Sequence, residues 1–216
     1  MNWVWIGDNA DYIAKLLGQH LLLALIPVVV AYVLSLVIGY LVFRTGPLAN
    51  PILALFGAIY SVPSLALFVL LPLVLGTKVL NPVNVVVALT IYTTALLSRS
   101  VVDGLREVPP EVKQSADGMG YGRIRRFFGV DLPLAMPVIF AGLRVATVSN
   151  IALTSISVLI ATQSLGTLFN QGFNQNFLTP VWVGLILSIL VALLADLAIL
   201  LIKRVAMPWS RKVRTA

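Results

Sequence analysis

The 216-residue chain is 59% hydrophobic and only 11% charged, with a mean hydropathy of +0.99. Soluble domains carry roughly 25% charged residues, so lipid must solvate most of this chain, and its length suits one helical bundle over residues 1–216. The absence of cysteine excludes disulfides, thiolate metal sites and cysteine nucleophiles; the net charge of +7 leaves nucleic acid as a partner to be judged from where the basic residues lie.

Five apolar stretches are long enough to span a bilayer, at about 20–43, 51–76, 79–98, 132–161 and 177–202. The first is not a cleaved signal peptide: Asp8 and Asp11 precede it where a basic region belongs, and it exceeds the usual apolar length. Trp3 and Trp5 suit one membrane interface and Trp209 the other, while His20 is expected at the interface, at the outer end of the first span. With the N-terminus outside and the C-terminus inside, twelve of the fifteen Lys and Arg residues fall on the inner face. Lys15 and Lys78 fall outside, and Arg144 lies within a span. The opposite orientation inverts that ratio, so the chain reads as N-out and C-in. The basic residues border spans instead of forming one face, which disposes of nucleic acid.

Pro27, Pro63, Pro72, Pro82 and Pro137 interrupt spans. Such prolines kink membrane helices for packing reasons alone, or break them around a cavity. Residues 99–131, between the third and fourth spans, hold six of the basic residues and five of the eight acidic ones. Pro109-Pro110 opens a short helix with Glu111 in its first turn, and Asp117-Gly118-Met119-Gly120 closes it. Residues 122–130, with Arg123, Arg125 and Arg126 beside Ile124, Phe127 and Phe128, read as a second short helix lying among lipid headgroups. An ordinary loop that happens to be helical has the same composition.

Within this segment Gln114-Ser115-Ala116, three residues, Gly120, nine residues and Val130-Asp131-Leu132-Pro133 resemble the signature of bacterial ABC importer permeases, whose form is Glu-Ala-Ala, three residues, Gly, nine residues, Ile-x-Leu-Pro. Gln114 and Ser115 depart from it conservatively. The resemblance implies an all-α bundle of five transmembrane helices in the bacterial cell membrane, with a cytoplasmic coupling helix between spans 3 and 4. Glu111, Gln114, Ser115, Ala116, Asp117, Gly118, Met119 and Gly120 would dock in a groove of a separate ATPase. That partner would bind ATP and Mg, and the chain itself has no phosphate-binding loop and needs no cofactor. The resemblance further implies a second permease subunit, identical or homologous, and an extracytoplasmic solute-binding protein.

Ser61-Val62-Pro63-Ser64-Leu65-Ala66 is similar to a stretch of osmoprotectant permeases, as are Val87-Ala88-Leu89, Tyr92 and Ala141-Gly142-Leu143-Arg144. This resemblance implies import of glycine betaine, carnitine, choline or a related solute. The loop at 160–166 lacks the glycine-rich run common there, so another small solute such as an amino acid stays open. Tyr60, Ser61, Pro63, Ser64, Tyr92, Asn150, Thr154 and Ser155 either line a passage or bond helix to helix. Arg144 and Asp196 lie within spans and within reach of each other, as a structural pair or as gating charges. A secondary carrier would need buried proton-relay groups that are scarce here, and an intramembrane enzyme would need a nucleophile–base or metal set.

Overall fold

The computed structural model describes residues 1–160 and 162–209, so the last position expected of the fourth span and the tail residues Arg211, Lys212 and Arg214 lie outside it. Its helices are α1 (Trp3–Asp8), α2 (Ala10–Arg44), α3 (Ala49–Ser61), α4 (Ser64–Leu75), α5 (Pro82–Glu107), α6 (Pro110–Gly118), α7 (Arg123–Arg126), α8 (Leu132–Ile156), α9 (Gly166–Asn174) and α10 (Leu178–Ala206). Among the described residues four helical runs are long and apolar enough to cross a membrane, and α3 with α4 makes a fifth if that bent pair is one span. The odd-numbered crossings end together at the end of the bundle that holds 99–131, the basic end, where Val42 meets Val102, Lys113 lies over Phe43 and Met207 packs on Phe140.

Helix α2 is 35 residues long, about 52 Å, well beyond a hydrocarbon core of about 30 Å. It begins ten residues before the first expected span. Its early turns pack Ile13 and Leu16 against Leu165, Leu168 and Val183, with Trp5 and Ile6 of α1 alongside. Trp5 also meets Phe177 edge-on at 5.7 Å. His20 is therefore fully buried in α2, not interfacial.

The expected second span is two helices meeting at 98°. Proline restricts the residue before it to extended backbone and supplies no N–H, and Val62 and Pro63 accordingly sit at ψ 134° and 128°. The Tyr92 hydroxyl, from α5, donates to the Val62 carbonyl at 2.6 Å and so fixes the elbow. Helix α4 then ends on Gly76 at φ +65°. The third span opens at Pro82, three residues later than expected, with the Asn81 side chain capping the Val83 N–H.

Helix α5 is the centre of the bundle and packs on α2, α3, α4 and α8. Its contact with α8 is unusually close. A Cβ on Gly104 would lie 2.8 Å from the Ala135 carbonyl oxygen, and one on Gly142 would lie 2.6 Å from the Ser100 Cβ. Small residues at such crossings let helix backbones gain contacts that lipid cannot supply. Across the bundle, the buried Asn150 accepts from Thr93 at 2.9 Å and donates to the Ala24 carbonyl, joining α8 to α5 and α2.

Residues 122–130 do not form a separate interfacial helix. Helix α7 runs through a π-helical turn, Phe127–Asp131, directly into α8, so the fourth crossing is one run from Arg123 to Ile160. Pro133 explains the wide turn. Its ring has no N–H for the Gly129 carbonyl and crowds it, and the Leu132 N–H reaches back five residues to Phe127 instead. Helix α9, at the end opposite the basic one, was not foreseen. It is a nine-residue helix between α8 and α10 that packs on both.

Candidate functional site

The segment that joins α5 to α8 is built as a rigid bracket. Val108 is extended (ψ 120°) because Pro109 follows it, which ends α5; Pro110 then occupies the first helical position of α6. The Lys113 ammonium turns back to donate to the Leu105 carbonyl at 3.0 Å, close to the negative end of the α5 dipole, and lies over the Phe43 ring. Ala116 is buried beneath the helix. At the far end Gly120 adopts φ +78°, its N–H bonds the Asp117 carbonyl and the Tyr121 N–H bonds the Ala116 carbonyl. These are the two bonds of a Schellman ending, which needs a left-handed residue at the glycine position.

Arg126 ties the end of α6 to the start of the fourth crossing. One terminal nitrogen contacts both Asp117 oxygens at 2.6 and 2.7 Å, and Nε contacts Asp131 at 3.3 Å. These charge-assisted bonds fix the guanidinium between the two carboxylates. The sequence pattern did not single out Arg126 for this role. The only signal was its spacing, nine residues after Asp117 and five before Asp131, which becomes meaningful once α6 is known to turn back at Gly120.

With Val112, Lys113 and Ala116 turned inward, Glu111, Gln114, Ser115 and Gly118 form one exposed stripe at positions i, i+3, i+4 and i+7. Met119, 69% exposed, and Asp117 flank it. A Cβ on Gly118 would meet nothing within 4 Å, so the surface over it is open to a partner. All eight residues proposed for coupling are thus gathered on one nine-residue helix and its terminating turn.

The residues considered for a passage fall in three places. Tyr60, Ser61 and Pro63 are exposed at the α3–α4 elbow, Ser64 is half-buried, and Tyr92 backs them with its ring edge-on to Tyr60 at 5.8 Å. Asn150 and Thr154 are buried and engaged in hydrogen bonds: Thr154 donates to the Asn150 carbonyl, and its own carbonyl accepts from Ser157 and Ser164. Ser155 lies apart, lining a cavity of about 850 Å³ with Phe169, Asn170 and Phe173 at the end away from α6. Arg144 and Asp196 form a two-pronged ion pair between α8 and α10, at 2.6 and 2.8 Å. They are 39% and 25% exposed and line a largely apolar groove with Val145, Val148, Ser149 and Leu193.

The family model for the binding-protein-dependent transport system inner membrane component matches residues 31–205. The osmoprotectant import permease protein OsmW of Salmonella typhimurium is 31% identical over 192 residues, 88% of this chain and 89% of that protein. The glycine betaine/carnitine/choline transport system permease protein OpuCD of Bacillus subtilis is 28% identical over 96% of this chain and 90% of its own. Among solved structures, an inward-facing form of the MetNI methionine ABC transporter superposes with a TM-score of 0.80 at 20% identity, over 89% of this chain and 94% of that one. That likeness shows the fold. The chain belongs to the inner membrane components of binding-protein-dependent transport systems.

Proposed function

We propose that this protein is the membrane-spanning permease subunit of an ATP-driven importer of osmoprotectants, glycine betaine or a related quaternary ammonium compound. The observation that carries the coupling role is the exposed stripe of Glu111, Gln114, Ser115 and Gly118 on a helix tied at both ends to membrane crossings. In this reading the N-terminus is outside and the basic end inside. The stripe docks in a groove of a separate ATPase subunit, which binds ATP and Mg and hydrolyses the nucleotide. A second permease subunit, identical or homologous, completes the pathway, and an external solute-binding protein delivers solute at the end that holds α9.

The substrate class rests on relatives at 31% and 28% identity, one named for osmoprotectants and the other for glycine betaine, carnitine and choline, matched over nearly the whole of each protein. Tyr60, exposed at the elbow with its ring edge-on to the buried Tyr92, offers one aromatic ring, and such rings attract quaternary ammonium ions. Tyr60, Ser61, Pro63 and Ser64 are assigned to the passage wall, while Asn150 and Thr154 hold the helices around it.

The test is reconstitution of the permease with its ATPase and binding protein in liposomes. Glycine betaine, carnitine or choline is expected to stimulate hydrolysis and accumulate inside. Stimulation by amino acids alone would overturn the substrate assignment, and transport without the ATPase would overturn the coupling role. Because the chain has no cysteine, single cysteines placed at Asn2 and Met119 report orientation directly. An impermeant thiol reagent added outside cells is expected to label the first and not the second.

A further inference from the structure

Two cavities lie side by side where α2 meets the start of the fourth crossing, and they differ in chemistry. One, about 380 Å³, is walled by Val33, Val37, Leu41, Ile124, Phe128 and Leu132. The other, about 640 Å³, holds Arg44, Arg123 and Arg126 together with Asp117 and Asp131. Tyr40 lines both, so they form one groove with an apolar length and a basic head.

The charges in the head are unequally committed. Arg126 is engaged by both aspartates. Among the described residues Arg44 and Arg123 are ion-paired to no carboxylate, and Arg125 nearby only stacks on Tyr121 at 4.6 Å. Two guanidinium groups are therefore left to attract an anion. The apolar part has the matching depth. Val33 precedes Arg44 by eleven residues of helix, about 16 Å, which is close to one leaflet's share of a hydrocarbon core of about 30 Å. Ile124 and Phe128, one and five residues after Arg123, are 74% and 65% exposed, and across the groove Arg44 lies over the Tyr40 ring at 6.0 Å, a combination of apolar and cationic groups suited to the boundary between headgroups and acyl chains. A cytoplasmic partner protein could touch the basic head but could not fill a groove running that far into the bilayer.

We propose that this groove is a binding site for an anionic phospholipid, one acyl chain lying against Val37, Leu41, Ile124 and Phe128 and the phosphate held by Arg44 and Arg123. Arginine suits that role because its fork of donors matches phosphate oxygens. The site does not depend on which solute the protein carries.

The test is native mass spectrometry of the permease purified with its ATPase partner, delipidated and titrated with phosphatidylglycerol or phosphatidylcholine of identical chains. Tighter binding of phosphatidylglycerol is expected. The double variant R44Q/R123Q is expected to weaken it roughly 25-fold, about five-fold per arginine, with phosphatidylcholine unchanged. Equal binding of the two lipids by the native protein overturns the proposal. So does retention of phosphatidylglycerol by the double variant, including the case where that variant loses only its ATPase, which would assign the arginines to docking. Should the double variant fail to assemble, a phosphatidylglycerol carrying a photoreactive acyl chain is applied to the native complex. Labelling of α2 between Val33 and Leu41, or of Ile124 to Phe128, undiminished by inorganic phosphate, supports the site, and labelling confined elsewhere refutes it.

Discussion

Arg126 is the point at which the coupling segment is most exposed to perturbation, because its two partners differ in environment. Asp117 is 54% exposed, so its pairing with Arg126 is screened by water; Asp117→Asn is expected to cost about 0.5–1 kcal/mol. Asp131 is only 6% exposed, and its other oxygen, Oδ1, has no hydrogen-bond partner. Removing the arginine would leave that carboxylate buried without a cation. Losing one partner of a fully buried pair costs about 3–5 kcal/mol; with Arg126 itself one-quarter exposed, about 2–3 kcal/mol is expected for Arg126→Gln. The double variant R126Q/D131N removes the orphaned charge as well and is expected to return to within about 1 kcal/mol of the native protein. The assay is the temperature at which half of the detergent-solubilised permease remains monodisperse after heating. For a chain of this length the single arginine variant should fall by roughly 4–12 °C and the Asp117 variant by no more than about 4 °C. Equal losses for the two single variants, or no recovery in the double variant, would refute the argument that Asp131 is what Arg126 serves.

Gly118→Trp is expected to leave thermal stability unchanged, because nothing lies within 4 Å of its Cβ position, yet to abolish copurification of the ATPase. Retained copurification would remove the stripe from the docking surface. Charge exchange by R144D/D196R should restore assembly lost in either single variant, since the native contact joins α8 to α10; failure to rescue would assign these charges to something other than each other. Tyr92→Phe deletes the one side-chain bond to the Val62 carbonyl and should cost about 1–2 kcal/mol, with increased proteolysis at the elbow as the direct readout. Unaltered protection there would show that Pro63 alone sets the bend.

The parts of this fold that were legible in the sequence are those governed by local rules. Hydropathy finds the crossings, and Pro109-Pro110 with Gly120 brackets α6 almost to the residue, because the proline ring and the left-handed glycine act within one turn. The 98° elbow was only half legible. Pro63 announces a break, but the direction of the chain after it depends on Tyr92, thirty residues away, reaching the Val62 carbonyl. Gly122–Val130 was misread for a related reason: its amphipathic composition suits a surface helix, whereas Phe127 is buried against Tyr40 and the run continues into α8. His20 was placed by its distance from the expected end of a span, and the extension of α2 under α9 moved that end. Helix α9 itself is too short and too mixed in polarity to stand out from a loop.

The bracket also limits how a movement at α6 can spread. Lys113 fixes α6 to the end of α5, Arg126 fixes it to the start of the α8 run, and Gly104 and Gly142 bring α5 and α8 almost backbone to side chain. Packed helices with no slack shift as one body, whereas at the elbow itself the chain meets α5 through a hydrogen bond and an aromatic edge, with Phe68 and Leu71 of α4 packing on Val85 and Leu89 beyond it. A displacement of the coupling helix should therefore carry α5 and α8 together and be taken up at Val62-Pro63. Spin labels at the exposed positions Arg99 and Ala141 report the first distance, and labels at Arg99 and Leu73 report the second. On trapping the ATPase closed, the α5–α8 distance is expected to hold within about 1–2 Å, the scale of small helix shifts, while the α5–α4 distance changes by more. A change confined to the α5–α8 pair would mean that the glycine contacts slide, and that the elbow belongs to the rigid part of the bundle.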